Sequence, residues 1–235
     1  CIRDSLSQFA LLFLAAMIGL STHAAPKVKT TEGWIQGLVT NDMAQFLGIP
    51  YAQAPVGDLR WQPPRPAKKR SGVLQTQTFG PRCVQRTAGD NPPVASEDCL
   101  TLNIWSPDVS AKKQPVMFYV HGGGFRSGSG EVPGEVLAKH GVVVVSLNYR
   151  LGPIGFFAHP ALDSKAASFG LLDIVEALRW VQNNIRFFGG DPDNVTIFGV
   201  SAGGMAVNTL MVSPTAQGLF HNCLLYTSPS PRDGT

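Results

Sequence analysis

Val195-Thr196-Ile197-Phe198-Gly199-Val200-Ser201-Ala202-Gly203-Gly204 decides the fold of this chain. A β-branched, apolar run enters Gly-x-Ser-x-Gly, and a helix-compatible segment, Ala202 to Met211, follows. Strand, sharp turn and helix in that order are what a nucleophile elbow requires. Such a turn is tight, so small residues must flank the serine. Ser201 then projects its hydroxyl above the carboxyl end of a parallel sheet. The pentapeptide occurs by chance in many loops, so the surrounding sequence has to carry the reading.

Working outward, Val116-Met117-Phe118-Tyr119-Val120 and Val142-Val143-Val144-Val145-Ser146-Leu147 are continuous apolar runs. Strands buried on both faces look like this. Glu131 to His140 is a short helical candidate between them. Leu171 to Ile185 carries Leu172, Val175, Leu178, Trp180 and Val181 near helical spacing, and Gly189-Gly190-Asp191-Pro192 ends it. The alternation predicts an α/β fold with a mostly parallel central sheet and right-handed crossovers. Before it, Trp34-Ile35, Phe46-Leu47-Gly48-Ile49 and Leu102-Asn103-Ile104-Trp105 read as short strands among turns and prolines.

His121-Gly122-Gly123-Gly124-Phe125 follows directly on the strand candidate at 116–120. Three glycines let backbone N–H groups face a ligand with no Cβ in the way. Donors of this kind stabilise the negative oxygen formed when a nucleophile attacks an ester carbonyl, and losing one typically costs about 3–4 kcal/mol of barrier. A flexible glycine turn is the alternative for this stretch alone. A glycine loop followed in the chain by a serine elbow points to an acyl-transfer hydrolase.

Composition agrees with an ordinary globular protein: 44% hydrophobic, 15% charged, formal net charge +3. No basic block argues for nucleic acid, and Lys68-Lys69-Arg70 reads as a solvated loop. The amino-terminal stretch reads as an export signal. Arg3 is basic, Phe9 to Leu20 is apolar, and small residues place cleavage after Ala24. Twelve apolar residues are too few to span a bilayer comfortably. The expected destination is secreted or periplasmic. Export permits disulfides. Cys83 and Cys99 are either bridged, contributing about 3 kcal/mol through the unfolded state, or two buried thiols. The first methionine is Met17, inside the apolar run. From Cys223 the sequence changes character and resembles the translation of a sequencing-library adapter. The organisation expected is therefore a leader over 1–24, a hydrolase domain over 25–222 and a non-native tail over 223–235.

Several longer motifs resemble the type-B carboxylesterases, the α/β-hydrolase branch that includes cholinesterases and neuroligins. They are Phe46-Leu47-Gly48-Ile49-Pro50-Tyr51-Ala52 with Leu59-Arg60-Trp61, Ser96-Glu97-Asp98-Cys99-Leu100-Thr101-Leu102-Asn103, Asn148-Tyr149-Arg150-Leu151-Gly152-Pro153-Ile154-Gly155-Phe156, and Phe188-Gly189-Gly190-Asp191-Pro192 leading to Ser201. The resemblance covers about 33–222 and implies the amino-terminal half of an α/β-hydrolase fold. It makes Ser201 the nucleophile of a carboxylic-ester hydrolase, with Gly123, Gly124 and Ala202 as oxyanion donors. It also implies a Cys83–Cys99 disulfide and structural ion pairs Arg60–Glu97 and Arg150–Asp173. The implied partner is a small-molecule ester. No metal or other cofactor, no nucleic acid and, once the leader is removed, no membrane is expected.

The chain departs from the family pattern at Val200, where Glu is usual, at Ile174, where Gln is usual, and at Ser168, where Asn is common. The stretch between Cys83 and Cys99 holds no aromatic residue. In cholinesterases it supplies a tryptophan for the choline cation, so its absence argues against a cholinesterase. The fold orders its triad serine, acid, histidine. Only His221 follows Ser201, and it comes too early. His121 is assigned to packing and loop geometry. The reading is of a hydrolase segment that holds nucleophile and oxyanion hole without their acid and base. A neuroligin-like adhesion module is the competing reading, and the retained serine and glycine loop weigh against it.

Overall fold

The computed structural model describes residues 25–86, 94–162 and 168–226. The leader expected over 1–24 lies outside the described residues, as do 227–235 of the expected tail.

Twelve strands and four α-helices are described. The strands are β1 Lys27–Thr30, β2 Gly33–Gln36, β3 Leu38–Thr40, β4 Met43–Pro50, β5 Val73–Gln75, β6 Arg82–Cys83, β7 Ala95–Ser96, β8 Thr101–Ser106, β9 Gln114–Val120, β10 Val143–Leu147, β11 Gly190–Val200 and β12 Asn222–Tyr226. The helices are α1 Glu135–Ala138, α2 Gly152–Gly155, α3 Phe169–Asn184 and α4 Ala202–Met211.

The central sheet has seven strands in the order β12-β11-β9-β10-β8-β4-β3. It is mixed. β12, β11, β9 and β10 pair parallel, as the alternating strand and helix patterns predict. β8, β4 and β3 are antiparallel to their neighbours. For β3 and β4 the short connection over Asn41-Asp42 enforces this direction, because parallel pairing needs a long crossover. β12 continues the parallel ladder, with Cys223 opposite Ile197 and Leu225 opposite Gly199. The first residues of the expected tail therefore run as a sheet edge.

β10 is buried along its whole length because it lies between β9 and β8 with cover on both faces. On one face, Val116, Phe118, Val120, Val143, Val145, Val195 and Ile197 pack with Ile174, Leu178 and Val181 of α3 and with Ala206, Val207 and Leu210 of α4. The side chains alternate along each strand, so Val144 and Trp105 point the other way and pack with Ala138 of α1. α1 is shorter than the helix expected over Glu131–His140. α3 and α4 match their expected spans closely. Residues from β4, β8, β9, β10, β11, α3 and α4 share one core, and that core holds the carboxyl ends of β9 and β11 side by side.

Candidate active site

Ser201 sits between the end of β11 and the start of α4 with φ 55° and ψ −121°. A side chain in this region costs about 1–3 kcal/mol. The conformation is enforced from both sides. Pairing of β11 with β9 persists to Gly199 opposite Val120. Beyond the serine, the Met205 N–H donates to the Ser201 carbonyl at 3.0 Å, closing the first turn of α4. The flanking glycines have a tertiary reason. A methyl on Gly203 would strike the Val120 carbonyl and lie 2.9 Å from the His121 carbonyl oxygen. A methyl on Gly199 would lie 2.7 Å from the Val120 oxygen. The elbow crosses the end of β9 backbone to backbone. Ser201 is exposed at the crest.

The glycine loop leaves the end of β9 beside that crest. A methyl on Gly122 would lie 3.3 Å from the Ser201 Cβ. Gly123 has φ 104°, and a side chain there would collide with Ser127. The N–H groups of Arg126 and Ser127 both donate to the Gly123 carbonyl, at 3.0 and 3.1 Å, and so close the turn. Around the Gly124 Cβ position there is open space. The N–H groups of Gly123, Gly124 and Ala202 have no acceptor among the described residues. Ala202 is the first residue of α4, where N–H groups lack intrahelical partners and the helix dipole favours negative charge. The structure thus brings Ser201 and Ala202 against the loop that carries Gly123 and Gly124.

His121 is 4% exposed and works beneath this loop. Its ring stacks on Tyr149 with centroids 4.3 Å apart. Its Nδ1 lies 2.8 Å from the Gly122 carbonyl oxygen, a contact that requires the proton on Nδ1. Nε2 is buried without a partner. Burial lowers its pKa to about 4, against a smaller upward pull from that hydrogen bond. The ring is therefore neutral at pH 7, and its hydrogen bond holds the loop.

Other residues that position the loop escaped the sequence reading. The Gln85 side-chain amide donates to the Gly128 carbonyl at 2.8 Å and accepts from the Gly128 N–H at 2.8 Å. The Asn103 amide donates to the Gly130 carbonyl at 3.0 Å, and Asn148 Oδ1 accepts from the Gly130 N–H at 2.8 Å. Asn103 and Asn148 lie inside the motifs quoted above. Their partner is backbone far along the chain, which no local signal reveals.

The remaining expected pairs form. Cys83 and Cys99 are bridged. Arg60 binds Glu97 through Nε at 2.6 Å and a second nitrogen at 2.7 Å. Arg150 and Asp173 are 1% and 0% exposed, and the guanidinium donates two parallel hydrogen bonds to the carboxylate, at 2.8 and 2.7 Å. Burial pushes the Asp173 carboxyl up, and the guanidinium and the Arg150 N–H oppose it. Ile174 is wholly buried in the core, so a polar group there would have lost its water. Val200 is 38% exposed and faces away from packing. His221 is far from the serine. Its N–H and Nδ1 bond the two sides of Val195, at 2.8 and 3.2 Å, six strand residues and about 20 Å before Ser201.

Beyond Gly124 a cleft of about 1080 Å³ opens. Its walls include Phe125, Leu151, Pro153, Ile154, Phe156 and Phe157, and Arg86 and Arg126 also line it. Ser201 stands beside this cleft and does not line it.

Ser201 thus stands at a strand–helix elbow on an α/β sheet, beside a glycine loop whose Gly123 and Gly124 N–H groups are unengaged among the described residues. The sequence profile of the carboxylesterase family matches residues 24–231, and the chain belongs to that family. It is 48% identical over 208 residues to the fumonisin B1 esterase of Sphingopyxis macrogoltabida, covering 83% of this chain and 38% of that protein. It is 44% identical over 214 residues to the para-nitrobenzyl esterase of Bacillus subtilis, covering 86% and 44%. The crystal structure of a Geobacillus stearothermophilus carboxylesterase at pH 6.2 superposes with a TM-score of 0.80 at 45% identity, covering 85% of this chain and 42% of that one. The chain thus spans less than half the length of these relatives.

Proposed function

We propose that this chain is the nucleophile-bearing part of a carboxylic-ester hydrolase working through an acyl-serine intermediate. The observation that carries the reading is Ser201 held at φ 55° against a loop whose N–H groups are unengaged. Ser201 Oγ attacks the ester carbonyl, forming a C–O bond as the carbonyl π pair moves onto oxygen. The N–H groups of Gly123, Gly124 and Ala202 receive that oxyanion. Its collapse expels the alcohol and leaves the acyl-serine, and water then attacks the acyl carbon and releases the acid.

The serine proton needs a base oriented by an acid. No imidazole among the described residues is bonded to Ser201. His121 is committed to the Gly122 carbonyl and His221 to Val195. The 235-residue chain by itself is therefore inactive, and the full-length gene product supplies both partners. The family relatives and the Cys83–Cys99 bridge support an exported enzyme acting on small-molecule esters. No described helix is long and apolar enough to cross a membrane.

The experiment is fluorophosphonate labelling of the full-length protein. Labelling at Ser201, abolished in Ser201→Ala, is expected. Labelling that survives this substitution, or none in the parent protein, overturns the reading. Ester turnover by the purified 235-residue chain would overturn its inactivity.

A further inference from the structure

The cleft beyond Gly124 is lined by Arg86 and Arg126 and by no carboxylate among the described residues. We propose that it selects esters bearing a second, ionised carboxylate, which these two guanidinium groups receive. The proposal rests on the ester-hydrolase reading above and names the substrate class of that site.

Both arginines are tied to the oxyanion loop by backbone and side-chain bonds. Arg126 lies two residues past Gly124, and its N–H donates to the Gly123 carbonyl at 3.0 Å. Arg86 follows Gln85, whose amide bonds both the N–H and the carbonyl of Gly128. Three residues before Arg86, Cys83 is bridged to Cys99. The base of each side chain is thus fixed relative to Gly123 and Gly124, while both side chains are exposed.

Charge pairing points the same way. Arg60, Arg82, Arg150 and Arg179 each join an ion pair. Arg65, Arg70, Arg86, Arg126 and Arg186 join none among the described residues, and of these five only Arg86 and Arg126 line the cleft. A guanidinium keeps its charge at any pH compatible with the fold, and its planar fork matches a carboxylate. Most of the remaining wall is apolar, with Gln85 and Ser127 its polar members, so the attraction is screened less than in open water. A substrate with its carbonyl oxygen at the loop N–H groups and its remainder beyond Gly124 places a distal carboxylate within this charged cleft.

The test uses the full-length protein and matched ester pairs. Naphthyl hydrogen succinate is compared with naphthyl butyrate, placing the carboxylate in the acyl part. 4-Acetoxybenzoate is compared with phenyl acetate, placing it in the leaving group. The readout is the kcat/KM ratio of charged to neutral ester within each pair. In at least one pair the ratio is expected to fall about tenfold in Arg126→Gln, to fall in Arg86→Gln, to recover partly in Arg126→Lys, and to shrink with added salt. A ratio at or below one in both pairs for the parent protein overturns the proposal, as does a ratio unchanged in both Gln variants. Turnover of neutral esters with fluorophosphonate labelling would then leave the ester-hydrolase reading standing, whereas loss of both in the parent protein would remove the two together.

Discussion

Tyr149 lies flat against His121, with ring centroids 4.3 Å apart, and donates its hydroxyl to the His121 carbonyl at 2.8 Å. The contact joins the end of β10 to the end of β9 and sets the floor of the glycine loop. Burial that makes this stack also keeps the imidazole neutral, lowering its pKa from 6.5 to about 4.

A pH dependence follows from that stack. The unfolded chain binds a proton at His121 near pH 6.5, and the folded chain does so only near pH 4. Between these values the unfolded state holds more protons, so stability falls as pH falls. The loss is complete below about pH 4 and amounts to roughly 3 kcal/mol. In the full-length protein, Tm of the parent should drop more steeply from pH 6.5 to 4 than Tm of His121→Asn, which keeps an amide donor for the Gly122 carbonyl. Parallel Tm profiles would refute the assignment.

The strain at Ser201 predicts opposite effects on activity and stability. Glycine adopts φ 55°, ψ −121° readily. Ser201→Gly should raise unfolding stability by about 1 kcal/mol while removing fluorophosphonate labelling. Chemical denaturation of parent and variant compares the two. Equal or lower stability of the glycine variant would show that the elbow is unstrained.

Arg150 and Asp173 are both buried and bonded to each other. Removing one partner strands a charge, so Asp173→Asn should cost about 3–5 kcal/mol. Replacing both together, Arg150→Met with Asp173→Leu, should cost much less than the two single changes summed. A double-mutant cycle on denaturation midpoints measures this coupling, and additive effects would contradict it.

Cys83 and Cys99 close a loop of sequence separation 16. Changing both to serine should lower stability by about 3 kcal/mol, mainly by freeing the unfolded chain. Gln85 stands two residues from Cys83 and bonds Gly128, so the same variant should also raise KM for small esters. Unchanged KM with reduced stability would confine the bridge to a structural role.

Much of the site was legible in the sequence because its determinants are local. A nucleophile elbow is strand, turn and helix within about ten residues, and the glycine loop adjoins its strand directly. The ion pairs were legible only through the resemblance, since their partners lie apart in the chain, whereas export left the Cys83–Cys99 bridge as one of two alternatives and the resemblance favoured it. The antiparallel half of the sheet was less visible. Short apolar runs such as Phe46-Leu47-Gly48-Ile49 show a strand without its direction, which depends on the connection that follows.

The sequence by itself determined the parallel α/β core, the serine, the glycine loop and their order, because periodicity and turn chemistry are properties of neighbouring residues. Only the tertiary structure decided why Gly203 must be glycine, since the obstacle is the Val120 carbonyl on another strand. It alone showed that His121 is kept neutral, through burial against Tyr149, and placed His221 beside Val195, halfway along β11. It also joined Gln85 to Gly128 and so brought Arg86 and Arg126 to one cleft. Steric approach, desolvation and hydrogen bonding act between groups close in space, and the fold determines which distant residues become close.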